Sequence, residues 1–577
     1  MFNRYFQSEL ANIKDLGIDF SKAHPALAPM LKGPSSDPDV ERLLEGVAFL
    51  TALLRQKLDD EFPEIIHEMI RLIWPHYLRP IPASTIVAFK PKPTLKQPIT
   101  INSGIQIASV PVEGTPCLFQ TCFEVQVHPL EILEANYLER SGQHPAIQLI
   151  FELKGVAPDD WQAESIRFFI SGDYSSSADL FFLLCNHLHQ IIIRDSKKKR
   201  QTVLSKDHLI PAGFSYDKSL IPFPTQSFPG YRIIQEYFIL PEKFLFLDLT
   251  GWEHWKDRGE EGRFEVLFEL SNIPFQPTRI KKETFVLSAT PAINVFPHEA
   301  DPVRLDHRKD EYLVRPTTSE PSHYQVYSVQ KVVGYIHGTA QEREYAPFEL
   351  FTPAQENIPV YHIKIRSSPV RDETNFYLSV AYPEEMGSPL LETLSIDLIC
   401  TNGFLPENIR IGDVCRPTST TPEFVDFENI TTPTAHILPP LGTNLLWRLL
   451  SHLSLNYVSL ATAENLKALL DLYIFEKSSD LTHTLANQKR VEGIVKLETE
   501  AVDRLVSGIL MRGRQITVSA RQDHFAGYGD LYLFGCVLDA FLGGYASINS
   551  FITFAIKEST KGEVYTWPAR LGDQPLI

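Results

Sequence analysis

The chain has 577 residues, of which 44% are hydrophobic and 22% charged, the balance of a folded protein and not of a disordered or collagen-like one. At about 150 residues per domain, this length suggests three to four domains. The 54 basic and 71 acidic residues leave a net charge of −17, which repels phosphate backbones and argues against a dedicated nucleic-acid binder. Six cysteines without a Cys-x-x-Cys spacing are too few for a disulfide scaffold and point to a reducing compartment. The opening stretch carries Glu9 and Asp15 where a secretory leader needs an unbroken apolar run. The expected location is therefore the cytoplasm.

The first 82 residues read as a helical segment. Phe6, Leu10, Ile13, Leu16 and Phe20 recur at spacings of three and four. After a link with Pro25, Pro29 and Pro34, Asp37 stands at a helix N-cap, with Pro38 at the first helical position and Glu41 in the first turn. Val40, Leu43, Val47, Leu50 and Leu54 then follow a 3-4-3-4 spacing, the seam of a coiled coil. Leu44, Phe49, Leu53 and Leu58 widen it. A second helix is expected from about Glu64 to Tyr77, closed by Pro75 and Pro80. So wide an apolar face needs more than one partner helix. Packing on the same chain and a bundle shared between chains both satisfy it.

From residue 83 to 440 the pattern becomes β-rich, with sandwich- or barrel-like spacing and no long helical pattern. The expected domains are 83–316 and 317–440. Short runs such as Thr85–Phe89, Ile166–Ile170, His189–Ile193, Tyr237–Leu240, Tyr324–Val329 and Ile363–Arg366 read as strands. So do Cys117 and Cys122, in the alternating run Pro116–Val125. Lys197–Arg200, between two apolar runs, reads as a solvated hairpin tip. A mixed α/β domain is expected over 441–577. Leu445–Tyr457 and Ala463–Tyr473 read as helices, and Gln515–Ala520 as a strand. Leu531–Ile556 is apolar enough to span a bilayer, but Gly543, Gly544 and the serines after them divide it into a core helix and a buried strand. No membrane insertion is expected.

Motifs that carry chemistry are missing from the sequence. There is no P-loop, no Gly-x-Gly-x-x-Gly (Tyr532 replaces the third glycine after Gly527 and Gly529) and no Gly-x-Ser-x-Gly. His67-Glu68 opens a zinc-peptidase pattern, but Arg71 stands where the second imidazole must be. The densest polar cluster is Ala300–Tyr312. Asp301, Asp306, His307, Asp310 and Glu311 lie there among Arg304, Arg308 and Lys309, so neighbouring charges are expected to pair locally in a loop or interface. No catalytic residue, cofactor or metal ligand is expected. Paired carboxylates on a β scaffold leave one rival, a carbohydrate-binding or glycan-cleaving sandwich.

Several segments resemble the TssF family of the type VI secretion baseplate. They are Asp37–Glu64 with LIWPHYLRPIPAS (Leu72–Ser84), NVFPHEADPVRLDHRKDEYLV (Asn294–Val314), VYSVQKV (Val326–Val332), ICTNGFLP (Ile399–Pro406), LLSHLSLNYVSL (Leu449–Leu460), Phe525–Phe551 and the terminal VYTWPARLGDQPL. They lie in order from residue 37 to the C-terminus. The resemblance implies an α+β wedge protein akin to those of contractile phage tails, without enzymatic activity or cofactor. It implies assembly with TssG, a second TssF copy, TssK and TssE around the VgrG spike hub, where the wedges nucleate the sheath. It also implies a cytoplasmic site close to the inner membrane. A wedge protein of another contractile particle is the near alternative. On this reading Val40, Leu43, Val47, Leu50, Leu54 and Leu58 form a partner interface, and Asp301, Arg304, Asp306 and His307 form a second, polar one.

Overall fold

A computed structural model describes residues 2–23, 38–139, 142–195, 201–223, 228–256, 258, 261–339, 341–348, 358–368, 373–383, 391–441, 462–475, 481–506, 509–546 and 550–572. The chain divides into two compact units, Met1–Trp74 with Leu441–Leu450, and Pro75–Pro440 with Ser451–Ile577.

In the first unit, helix α1 (Phe2–Ala23) and helix α2 (Pro38–Ile73) run antiparallel, tied by Arg55 to Glu9 and by Lys14 to Glu41. The expected pair of helices over 38–77 is a single helix that passes through Pro63. A proline removes one hydrogen bond and crowds one carbonyl, a local cost of about 3 kcal/mol that long flanking turns can absorb. The helix ends at Ile73, and Pro75–Leu78 is a 3-10 turn. Asp37 and the predicted helix Leu445–Tyr457 lie outside the described residues.

The second unit is built mainly of antiparallel sheets. One six-stranded sheet orders 416–417, 106–112, 115–121, 289–293, 84–91 and 425–429. A five-stranded sheet orders 201–205, 188–195, 263–270, 146–153 and 130–138, and a four-stranded one 209–212, 246–249, 166–170 and 285–287. The largest, of eight strands, centres on 325–336 and 392–401. Two buried asparagines sit between the first and the last of these. Asn294 Nδ2 donates to Leu118 O and Asn402 Oδ1, and the Asn402 amide donates back to Asn294 Oδ1. Both lie in segments that carry the TssF resemblance.

Among the described residues, two α-helices interrupt the β-rich region, where none was expected. Helix α3 (Tyr174–Asn186) starts at Asp173, whose carboxylate accepts from the Ser176 amide. Helix α4 (Pro229–Ile239) contains Tyr237–Ile239, read above as part of a strand. Four apolar residues fit a buried helix as well as a buried strand, and Pro229 at the first helical position was the missed signal. Cys117 lies in a strand, whereas Cys122 sits just past its end, at the joint before Val125–Val127. Burial raises both thiols, Cys117 to about 12, so neither is a ready nucleophile. The strands 188–195 and 201–205 pair as the hairpin predicted around Lys197–Arg200, although 196–200 themselves lie outside the described residues.

The C-terminal part is α/β. Helix α5 (Ala463–Asp471) and helix α6 (Leu481–Glu492) precede strands Ile494–Val506 and Ile509–Ala520. Helix α7 (Tyr528–Gly543) then crosses over to strand Phe551–Glu558, which pairs parallel with Arg514–Ala520. Parallel neighbours require such a crossover. The apolar run Leu531–Ile556 thus becomes a buried helix and a buried strand, as its glycines and serines predict. Among the described residues no helix is long and apolar enough to cross a membrane.

Helix α7 is buried from Gly529 to Gly543. A Cβ on Gly529 would lie 2.1 Å from the Ala178 carbonyl, so glycine there lets α7 cross α3 at backbone contact. The two acids of α7 are both paired. Asp539 accepts from Arg570 Nε at 2.6 Å. Asp530 accepts from Tyr174 and Tyr237 hydroxyls at 2.7 and 3.2 Å, from Arg490 Nε at 3.0 Å and from the Ala526 amide at 3.0 Å. One buried carboxylate therefore joins α3, α4, α6 and α7, and its lone pairs are met as burial requires.

Candidate functional site

On α2 the 3-4-3-4 spacing is a straight row along one face. Leu43, Val47, Leu50 and Leu54 in that row are 42–68% exposed, and Val40 is half-buried at its start. The opposite face packs against α1 through fully buried Ala48 and Ala52. Small alanines bring the two helices close. The large leucines point elsewhere. Phe49 and Leu53 widen the open face, as expected, while Leu44 is half-buried. Leu58 is in the helix, but its side chain lies outside the described residues. Helix α1 adds exposed Leu16 and Phe20. A helix of this unit thus keeps one apolar stripe inside the hairpin and a broader one open, an arrangement that water penalises by roughly 25 cal/mol per Å².

The polar cluster takes a different form from the one its charges suggest. Val303–Leu305 is a short strand on 392–401 that buries Val303 and Leu305 and leaves Arg304 exposed. Asp306 closes the following turn. Its carboxylate accepts from the Arg308 amide at 3.2 Å and from the Tyr312 hydroxyl at 2.9 Å, which hold its pKa below the usual range. His307 takes a left-handed conformation, φ 56°, and stacks edge-on against Tyr382. Asp301 is exposed, and its amide donates to Arg315 O. Among the described residues, no ion pair joins Asp301, Asp306 or Asp310 to Arg304, Arg308 or Lys309. The expected local neutralisation is therefore replaced by backbone and hydroxyl donors. Glu311 pairs instead with Lys364 at 2.7 Å and Arg366 at 2.8 Å on the neighbouring part of the sheet. Burial alone would raise Glu311, but these two cations outweigh it and lower its pKa. The turn presents Asp301, Arg304, Arg308, Lys309 and Asp310 to solvent as a charged rim.

The model of the family described as "Type VI secretion system, TssF" matches residues 1–574. The chain belongs to the TssF family. It is 30% identical, over 99% of both chains, to the type VI secretion system component TssF1 of Pseudomonas aeruginosa. Among solved structures, it is similar to a chain of the TssK-TssF-TssG baseplate subcomplex seen by cryo-electron microscopy, with a TM-score of 0.79, 27% identity, and 93% of this chain and 99% of that one covered. It also shares its fold with a chain of a type VI baseplate complex, at a TM-score of 0.64 and 23% identity over the full length of both. Membership of the TssF family makes the chain a structural subunit of the type VI secretion baseplate. The resemblance read from Asp37–Glu64, Asn294–Val314 and the C-terminal motifs therefore holds for the whole chain.

Sequence reasoning missed the Tyr174–Tyr237–Arg490–Asp530 group because its two tyrosines lie about 300 residues from Asp530. It also missed the strand Ile494–Val506, although Leu497, Thr499 and the alternating charges around them are a period-two signal.

Proposed function

We propose that the open face of α2 is the part of this baseplate subunit that is shared between chains. Val40, Leu43, Val47, Leu50, Leu54 and Leu58 enter a helical bundle with a TssG-type subunit and a second copy of this chain. The solved relative, a chain of a TssK-TssF-TssG subcomplex, supports TssG- and TssK-type partners. TssE, the VgrG hub and a cytoplasmic position against the inner membrane complete the proposed wedge. Within it the chain works as scaffold, without catalysis. Asp301, Arg304, Asp306 and His307, in and beside the charged rim, set orientation at a second contact, because exposed pairs contribute specificity more than stability, about 0–1 kcal/mol.

The observation that carries this reading is the 42–68% exposure of four consecutive seam residues on a helix whose other face is already packed. Each such side chain contributes roughly 1.5–3 kcal/mol when fully covered. Val47→Asp or Leu50→Asp should abolish co-purification with the cognate TssG-type subunit while the isolated chain keeps its melting temperature. An intact complex with either variant would refute the bundle.

A further inference from the structure

A buried carboxylate stands behind the turn that carries His307. Glu392 opens the strand 392–401 and is wholly buried. One of its oxygens accepts from Arg343, on strand Glu342–Pro347, and the other accepts from the Tyr345 hydroxyl at 2.7 Å. Burying a charge requires such partners. The space for them exists because residue 334 is glycine. A Cβ there would collide with the Glu392 oxygen that Tyr345 serves and with the Tyr345 ring. The Tyr345 hydroxyl gives its proton to the carboxylate, so at 2.9 Å it accepts the proton of the Tyr382 hydroxyl. The donors therefore run one way, from Tyr382 to Tyr345 to Glu392, and fix the Tyr382 ring at its hydroxyl end.

That ring is the wall beside His307. The Arg343 guanidinium lies over its face, 5.6 Å from the centroid, and the His307 imidazole meets it edge-on, also at 5.6 Å between centroids. His307 needs a wall, because φ 56° is uncommon for a residue with a side chain and persists where the surroundings hold it. The same turn is tied at its far end by Glu311 to Lys364 and Arg366, and the Tyr312 hydroxyl holds Asp306. The end of the turn is thus fixed by charge, and its His307 corner rests on a tyrosine whose own position is set two hydrogen bonds away, in the interior of the sheet.

We infer that Tyr382, and the buried Tyr345 through it, are positioning residues for the polar contact of the baseplate subunit. They hold His307 and the Asp306–Arg308 turn in the one shape that the neighbouring subunit meets, although Tyr345 itself is covered by its own chain. The inference rests on the reading of Asp301, Arg304, Asp306 and His307 as a contact, and adds to it the residues that shape that contact from within. A contact that gives orientation more than affinity depends on such preorganisation, since a turn that wanders presents its charges in many directions.

The test removes one hydroxyl at a time from the full chain. Tyr382→Phe and Tyr345→Phe should each speed deuterium exchange in peptides spanning 304–314 by roughly two- to tenfold, the range of one hydrogen bond's net contribution. The double variant should do no more than either single one, because both break the same chain of donors. Exchange in the central strands 325–336 and 392–401 should stay at the parent rate. A merely structural role would instead raise exchange across the sheet, or give two effects that add, and either result would overturn the inference, as would an unchanged turn. Co-expression with the cognate TssG- and TssK-type subunits then separates the two readings. Both tyrosine variants should loosen the same subunit that His307→Ala loosens. If His307→Ala loosens a subunit and the tyrosine variants keep it, the positioning inference fails and the polar contact stands. If the tyrosine variants free the turn while His307→Ala keeps every subunit, the polar contact fails and the hold on the turn stands.

Discussion

Helices α2 and α7 spend their leucines in opposite ways. Helix α7 is 16 residues long and buried from Gly529 to Gly543, with Leu531, Leu533, Leu538 and Phe541 almost wholly covered. Helix α2 has 36 residues and buries small ones, Ala48 and Ala52, while Leu43, Leu50 and Leu54 face out. The first helix is covered by its own chain through α3, α4, α6 and a sheet. Among the described residues, the second has α1 alone. An apolar residue therefore says where burial is needed, and only the number of neighbouring elements says which chain provides it.

The sharpest way to break this contrast is at the polar centre of the covered helix. Arg490→Ala leaves Asp530 buried without its cation, and removing one partner of a buried pair costs about 3–5 kcal/mol. Urea unfolding should show the loss. A cost under about 1 kcal/mol would mean that the tyrosines and the Ala526 amide hold the carboxylate without help. Next in size is a matched pair of truncations. Leu538→Ala, at a fully buried position, should destabilise by about 2–5 kcal/mol, and Leu50→Ala should stay within about 0.5 kcal/mol in the isolated chain. Equal effects would show that α2 is covered within the chain after all.

The smallest effect is a pH dependence confined to the second unit. Burial pushes His128 and His436 down from the ordinary 6.5 to about 4. Trp161 Nε1 donates to His128 Nδ1 at 3.3 Å, and the other ring nitrogen faces Ser165 O at 3.1 Å. The ring is thus neutral, and a proton on Nδ1 would displace the indole. A folded pKa below the unfolded one means that the contribution is complete above pH 6.5 and is lost as pH falls toward 4. His128→Gln should flatten the fall in urea midpoint between pH 6.5 and 4.5, and leave the part due to His436. An unchanged slope would exclude His128 as a source.

Local patterns were legible where one residue's surroundings are set by its near neighbours in sequence. Ile166–Ile170 is a strand to the residue, and Leu531–Ile556 divides where its glycines and serines divide it. The seam was legible as a face, because a 3-4-3-4 row on a helix has one geometry. The helix start expected near Glu64 misled because propensity is local and α2 is long enough to run through Pro63. Tyr237–Leu240 misled because four apolar residues have no period. The Asp306 turn misled in a different sense. Its charges suggested pairing, but a turn places its own amides and Tyr312 closer to the carboxylate than any nearby arginine. The Asp530 group was illegible in principle, since hydrogen-bond partners at 174, 237 and 490 leave no spacing to read.

That same carboxylate has a bearing on how the protein is made. Tyr174 and Tyr237 emerge from the ribosome some 300 residues before Asp530, and Arg490 only shortly ahead of it. Contacts so distant in sequence close last and slow the search. Until residue 530 has been made, two helices in the middle of the molecule lack the anchor on which they converge, and the face that would receive α7 stays wet. A polypeptide that stops before Asp530 is thus left conspicuously unfinished and open to chaperones and proteases, and only copies that reach past it offer a settled body to the growing machine.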